Sequence, residues 1–443
     1  AVTLHPLTMR NFNLHPYVPE NQAKGYKKVF DTLRKYFVEL TGLEGITFQP
    51  QSGAAAELTG LIIAKKYFNS RKEKRDIVLI PESAHGTNFA SCTCAGLNVL
   101  KIPTGKDGTI DEASIKKAVH ENGGRIAAIM ITYPSTYGIF DENIMEVISL
   151  VKGSGGLVYM DGANFNAIAG YVKPASLGVD ILHLNLHKTF GIPHGGGGPG
   201  AGALLVSKHL IPFLPQHPLR GWCVSGAPYG SALILLITYS YLRLISSDIR
   251  EVTFQALLNA NYLKHLLKPF WKVAYEGRNG LNAHEFIIDL SQIYQETSIT
   301  EEDIAKRLID FCIHAPTISF PVPRSFMIEP TESESLASLQ NFALAMNFIH
   351  GEIEKIKNGE YDINNNPLKN APHNLYHFLT SADSYPYSGE VAFYPLDSLK
   401  SRYYFAPVGR INNALGDRNP LLTLKELALN KERIFTETAG LAN

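Results

Sequence analysis

The chain has 443 residues, 45% of them apolar, which is more than one small domain needs and enough for a large core beside a smaller one. The 41 basic residues match the 41 acidic ones. That balance argues against a nucleic-acid binder, whose surface carries a basic surplus. Only two of the four cysteines, Cys92 and Cys94, are close in sequence. C-x-C is not the usual zinc or redox spacing, so reduced thiols in a cytoplasmic protein are expected, with no metal.

In chain order, the first twenty residues form an irregular arm with three prolines, and AVTLHPLTMR contains no signal-peptide apolar run. Tyr26, Val29, Phe30, Leu33, Phe37 and Leu40 recur at helical spacing over 22–41, and Thr41-Gly42 ends that helix. From 45 to 207 short apolar runs alternate with helical stretches. Strands are expected at 76–81, 98–103, 126–132, 156–161, 180–185 and 202–207, and helices at 54–69, 111–121 and 141–152. Such alternation implies a mostly parallel sheet covered on both faces, with ligands bound at the carboxyl ends of its strands. The apolar run 232–245 is interrupted by Arg243 and is too short to span a bilayer. It falls inside a buried helix predicted over 228–268. Beyond Pro269, AHEFIIDLS reads as a strand and ITEEDIAKRLIDF as a helix, with Thr300 as N-cap and Asp303 as its capping-box partner. A second long helix covers 333–357. These elements divide into an N-terminal arm and helix (1–44), a large domain (45–269), a small domain (270–370) and an extended tail (371–443).

The residues after each strand are where chemistry is expected. Lys188, in HLNLHKTFGIPHGGGGPG, follows a strand by three residues. A buried lysine there loses its proton readily and forms an imine with an aldehyde. Gly195, Gly197 and Gly200 spell G-x-G-x-x-G, but a strand follows them where a dinucleotide site needs a helix. Asp161 closes the strand GLVYMD, where a carboxylate can hold a pyridine nitrogen protonated. Ser52, Gly53 and Ala54 open a helix and form a phosphate seat. His85 follows DIVLIP and is placed to stack on a flat ring, and Thr136 follows the third strand. One cofactor, pyridoxal 5'-phosphate held as a Schiff base on Lys188, accounts for all five features.

The stretches HLNLHKTFGIPHGGGGPG, VYMDGANFNAIAG, PESAHGTN, TYPSTYGIFDE, APYGSA, MIEPTESES and GRINNALGDRN resemble the glycine decarboxylase P-protein of the glycine cleavage system, in its lysine-bearing half, subunit 2. The resemblance implies an α/β fold of fold type I, aspartate aminotransferase-like, with a large mostly parallel-sheet domain and a smaller C-terminal α/β domain. It implies decarboxylation of glycine with transfer of the aminomethyl group to the lipoyl arm of H-protein. It also implies a cytoplasmic α2β2 assembly with a homologous subunit 1 that lacks the Schiff-base lysine. By position, Lys188, Asp161 and His85 are the catalytic residues. Ser52, Gly53, Ala54, Thr136, Ala163 and His187 join them around the cofactor, and His194, Gly195, Gly196 and Arg410 lie in loop or tail motifs. Two segments depart from the family pattern: HPLTMR (5–10) stands for P-x-GSCTMK, and QSGAAAE (51–57) for N-S-G-A-Q-G-E. Two other readings stay open: a pyridoxal-phosphate enzyme of the same scaffold with another substrate, and a divergent subunit that binds the cofactor with little turnover.

Overall fold

Helix α1 (Lys24–Thr41) buries Phe30, Leu33 and Phe37, and it stops where Gly42 takes a left-handed φ of 77°. This is the stop that Thr41-Gly42 predicts. A computed structural model describes residues 14–193, 200–245, 248–380, 384–401 and 405–418.

A seven-stranded sheet follows, built from β1 (Gly45–Thr47), β2 (Ile77–Pro81), β3 (Asn98–Ile102), β4 (Ile126–Thr132), β5 (Leu157–Gly162), β6 (Ile181–Asn185) and β7 (Gly202–Val206), in the order β1-β7-β6-β5-β4-β2-β3. All pairings from β3 to β6 are parallel. Only β7 runs the other way, antiparallel to both β6 and β1. The carboxyl ends of β2, β4, β5, β6 and β1 therefore share one edge. The central strands are buried along their whole length, because helices cover both faces. These helices are α2 (Gly53–Ser70), α3 (Gly86–Cys94), α4 (Glu112–Asn122) and α5 (Ile144–Gly153).

The helix predicted over 228–268 is two helices, α6 (Ala232–Ile245) and α7 (Ile249–Leu267), whose axes differ by 91°. Among the described residues no single helix is long and apolar enough to cross a membrane. A second, three-stranded sheet holds β8 (Phe286–Asp289), β9 (Thr317–Ile318) and β10 (Ser325–Ile328) in the order β8-β10-β9. Helix α8 (Ser291–Thr297) follows β8. Helix α9 (Glu301–Asp310) starts with the predicted Thr300–Asp303 capping box, and α10 spans Leu336–Lys357.

The chain divides into two compact units, residues 1–295 with 316–347 and residues 296–315 with 348–443. This differs from a break near 270. The physical reason is that β8 is pinned to the loop after β4. Ala283 N donates to the Gly138 carbonyl at 2.8 Å, and the Tyr137 and Tyr275 rings stack at 4.4 Å. Gly138 has φ 71°, and a Cβ there would lie 1.8 Å from the Glu285 carbonyl oxygen, so only glycine permits this approach. The second sheet thus belongs to the first unit. The second unit is helical where described, and its tail is not simply extended: it forms short helices at Leu375–Thr380, Gly389–Phe393 and Asn413–Arg418.

Candidate active site

The site is built on the shared carboxyl edge of the large sheet. Asp161 lies next to the end of β5, level with Thr132 on β4 and His183 on β6, and is 3% exposed. Its Oδ1 accepts the Ala163 amide at 2.9 Å, and its Oδ2 accepts Asn88 Nδ2 at 3.3 Å. His183, fully buried, meets the Tyr159 hydroxyl through Nδ1 at 2.8 Å. Its Nε2 stands 3.3 Å from Asp161 Oδ1 without hydrogen-bond geometry. Burial lowers the His183 pKa against the pull of Asp161, and Lys188 and His85 lower it further, so the imidazole is neutral at pH 7.

Lys188 follows β6 in a tight turn whose flanking residues Leu186 and Phe190 are buried. The lysine is exposed, which corrects the expectation of a buried one. The turn anchors itself through its apolar neighbours and presents the amine at the open edge of the sheet, where Nζ donates to Asn164 Oδ1 at 2.8 Å. Reactivity at this lysine therefore has to come from what binds over it.

Ser52 is the N-cap of α2 and accepts the Ala55 amide at 3.0 Å. Gly53 lets this helix start touch β6: a Cβ there would come within 2.3 Å of Asn185 Oδ1. Ala54 is exposed at the same helix start. His85 caps α3 through Nδ1, which accepts the Thr87 amide at 3.2 Å, and its ring meets Phe320 edge-on at 5.3 Å. The buried Thr136 donates its hydroxyl proton to the Ser83 carbonyl. His187 Nδ1 lies 3.1 Å from the Ala201 carbonyl. His194, Gly195 and Gly196 lie outside the described residues. Arg410 belongs to the second unit, where it pairs with Asp303 and donates to the carbonyls of Ala371 and Leu368. These bonds to Asp303, Ala371 and Leu368 are all local to that unit.

Sequence reasoning missed two groups. Glu57, one turn into α2 and 3% exposed, is hydrogen-bonded to Thr87 Oγ1 at 2.9 Å and to Ser91 Oγ at 3.2 Å. Burial first, and Asp161 second, push its pKa up to about 8. The other group is His284, Glu285 and Glu329, brought together where β8 begins and β10 ends. His284 and Glu285 are each 1% exposed. Both ring nitrogens of His284 and Oε2 of Glu285 lack hydrogen-bond partners. Burial, then Lys188, lowers the His284 pKa to about 3. Burial raises Glu285 and Glu329 while the charge of Lys188 pulls both down. All three groups are therefore within electrostatic reach of that amine. The motif MIEPTESES contains Glu329, which was the one available signal.

The donor set suits pyridoxal phosphate. A primary amine, a buried carboxylate for a ring nitrogen, an imidazole and a helix start face one edge, and buried polar atoms beside them (Asn88 Oδ1, His183 Nε2, Asn185 Oδ1) have no partner of their own.

A model for aminotransferases of class V matches residues 30–225, and one described as glycine dehydrogenase, C-terminal domain, matches residues 252–373. Glycine dehydrogenase (decarboxylating) of Pelagibacter ubique is 45% identical over 429 residues, covering 94% of this chain and 45% of that protein. That of Prochlorococcus marinus is 44% identical over 443 residues, covering 97% and 45%. The chain is similar to these glycine dehydrogenases over nearly all of its own length. It spans less than half their length.

Among solved structures, a glycine decarboxylase (P-protein) of the glycine cleavage system in inhibitor-bound form superposes with TM-score 0.64 at 19% identity, over 80% of this chain and 81% of that one. An aspartate aminotransferase of Thermus thermophilus gives 0.60 at 14% identity, over 80% and 96%. The fold is therefore fold type I, aspartate aminotransferase-like, as the homology requires.

Proposed function

We propose that this chain is the lysine-bearing half of a glycine-cleavage P-protein. It binds pyridoxal phosphate on Lys188, removes the carboxyl group of glycine as CO2, and passes the aminomethyl group to the lipoyl arm of H-protein. A homologous partner chain that lacks the Schiff-base lysine completes it, as α2β2 in the cytoplasm. The observation that supports this reading best is the placement of Lys188 and Asp161 beyond adjacent parallel strands, in a chain 44–45% identical to glycine dehydrogenases.

The bound cofactor supplies an electron sink for the bond to the departing carboxylate. Lys188 would hold the cofactor through its aldehyde, and the lysine nitrogen would also be placed to take up and return a proton. Asp161, fixed by Ala163 N and Asn88, holds the ring nitrogen protonated. His85 would pack against the ring, with its own orientation set by the cap it makes on α3. The start of α2 offers backbone amides and its dipole to the phosphate.

Lys188→Ala should remove the visible imine absorption of the reconstituted protein. A band unchanged by this substitution would show that the cofactor is held elsewhere. With lipoylated H-protein and the partner chain present, the wild type should exchange the glycine carboxyl carbon with labelled bicarbonate, and the variant should not. Absence of exchange in a wild-type preparation that carries the cofactor would overturn the glycine assignment.

A further inference from the structure

Glu57 has no part in the scheme above, yet it lies among that scheme's residues. Acceptor and donor atoms of Glu57, Asp161 and His183 all fall within 4.8 Å of one another, and all three residues are buried. Two carboxyl groups this close in a dry site do not both ionise. The hydrogen bonds indicate which of them keeps the proton. Asp161 is met by two N–H donors, the amide of Ala163 and Nδ2 of Asn88, and N–H groups can only donate. Asp161 is therefore held as the acceptor. Glu57 is met by two hydroxyls, those of Thr87 and Ser91, and a hydroxyl can turn to accept.

The proton count at Thr87 makes the assignment sharper. Its Oγ1 lies 2.7 Å from His85 Nδ1 and 2.9 Å from Glu57 Oε1. The same Nδ1 accepts the backbone amide of Thr87, so this ring nitrogen bears no hydrogen. The shorter contact then needs the single hydroxyl proton of Thr87, and the longer one needs a proton from Glu57.

We propose that Glu57 is a positioning residue of the cofactor site: a neutral carboxylic acid that, through Thr87, fixes His85 with its proton on Nε2, and that leaves Asp161 as the carboxylate of this cluster. The proposal rests on the reading that pyridoxal phosphate binds over Asp161 and His85. The groups facing Glu57 are Asp161 and Tyr159 from β5, His183 from β6, and Thr87 and Ser91 from α3, with His85 beyond Thr87. Neither buried ring holds Glu57 ionised: burial lowers the His183 pKa and raises that of Tyr159 well above its usual value. A raised Glu57 pKa agrees with the hydrogen-bond inventory.

Infrared difference spectra of the cofactor-free wild type should show the carbonyl stretch of a buried protonated carboxyl at pH 6–7. This signal should fade with a midpoint near 8 and be missing in Glu57→Gln. In the reconstituted protein the visible absorption should titrate with the same midpoint, and Glu57→Gln, which keeps a donor toward Thr87, should bind cofactor with wild-type affinity and lose this titration. Glu57→Leu, with no donor, should bind at least tenfold more weakly. A wild type without the carboxyl signal, or a Glu57→Gln protein whose absorption still titrates near 8, overturns the proposal. A wild type that never acquires a visible band overturns the cofactor reading instead, while the infrared measurement, made without cofactor, still decides the protonation of Glu57.

Discussion

At the scale of single residues, the proposed site sets the buried Asp161 among several polar groups, with modest contacts to Ala163 N and Asn88 Nδ2. Under the proposed function, Asp161 acts through its carboxylate on the ring nitrogen of the cofactor. Asp161→Asn preserves shape and most of the local hydrogen bonding, so cofactor should stay bound while decarboxylation falls by about 10²–10³-fold, the usual cost of removing one pre-organised electrostatic partner. Single-turnover kinetics with the cofactor band as a loading control measure this, and normal turnover would make the aspartate merely structural. His284 illustrates the opposite balance. A buried imidazole with both nitrogens unpartnered costs stability, about 1–3 kcal/mol for each unmet group. His284→Leu should raise unfolding stability by about 1 kcal/mol and lower turnover, as at sites where function is kept at the expense of stability. Urea denaturation beside the exchange assay checks both signs. The positions of Lys188 and Asp161 were legible in the sequence because each sits where an apolar strand ends. Glu57 and His183 were not. Glu57 passes for one more residue of a helix start, and His183 hides inside an apolar strand. Their meaning comes from partners 104 and 22 positions away, and no local pattern records that.

At the scale of elements, the contact between α2 and β6 positions the helix start that we propose as the phosphate seat. Gly53 is required by proximity: an added methyl group would press on the Asn185 side chain at 2.3 Å. Gly53→Ala should push the helix start off the strand, costing about 1–3 kcal/mol of stability and weakening cofactor binding at least as much as the lost seat. Fluorescence titration of the cofactor, compared with the unfolding midpoint, separates the two effects. If affinity is unchanged, the phosphate is held elsewhere. The strands that were read from sequence are the long apolar ones such as IAAIMIT, whose predicted and observed ends coincide at Ile126–Thr132. Burial on both faces writes a continuous apolar run. β1 and β9, three and two residues long, leave too little chain to show a period. α3 reads GTNFASCTC, small and polar, because its inner face packs against the carboxylate of Glu57 as well as the core. The reversed direction of β7 was illegible for a different reason: periodicity says which faces are covered and nothing about which way a strand runs.

At the scale of the whole chain, the two compact units are each assembled from separated stretches of sequence, a division that differs from a single boundary near 270. Residues 296–315 leave the first unit and 316–347 return to it; composition does not change where they do. The second unit is tied together by a charge in its core. Arg307 on α9 is fully buried. It makes paired bonds to Glu352 at 3.0 and 2.7 Å, one to Asp310 at 2.9 Å, and two more to the carbonyls of Val391 and Ala392. Asp310 in turn accepts the backbone amide of His373 at 2.7 Å. Burial alone would lower the pKa of Arg307, but Glu352 and Asp310 outweigh it and raise it. One guanidinium thereby joins α9, the end of α10 and the segments near 373 and 391. A paired buried charge adds little net stability, yet removing one partner strands the other. Arg307→Met should therefore cost about 3–5 kcal/mol and expose the tail to protease. Arg307→Met with Glu352→Leu should recover part of that loss, because Asp310 keeps His373 while no isolated carboxylate remains at 352. Urea unfolding of the single and double variants, with protease cleavage mapped along 348–418, tests this. A double variant no more stable than the single one would mean that the carbonyl bonds to Val391 and Ala392, and not the charge pairing, hold the unit together.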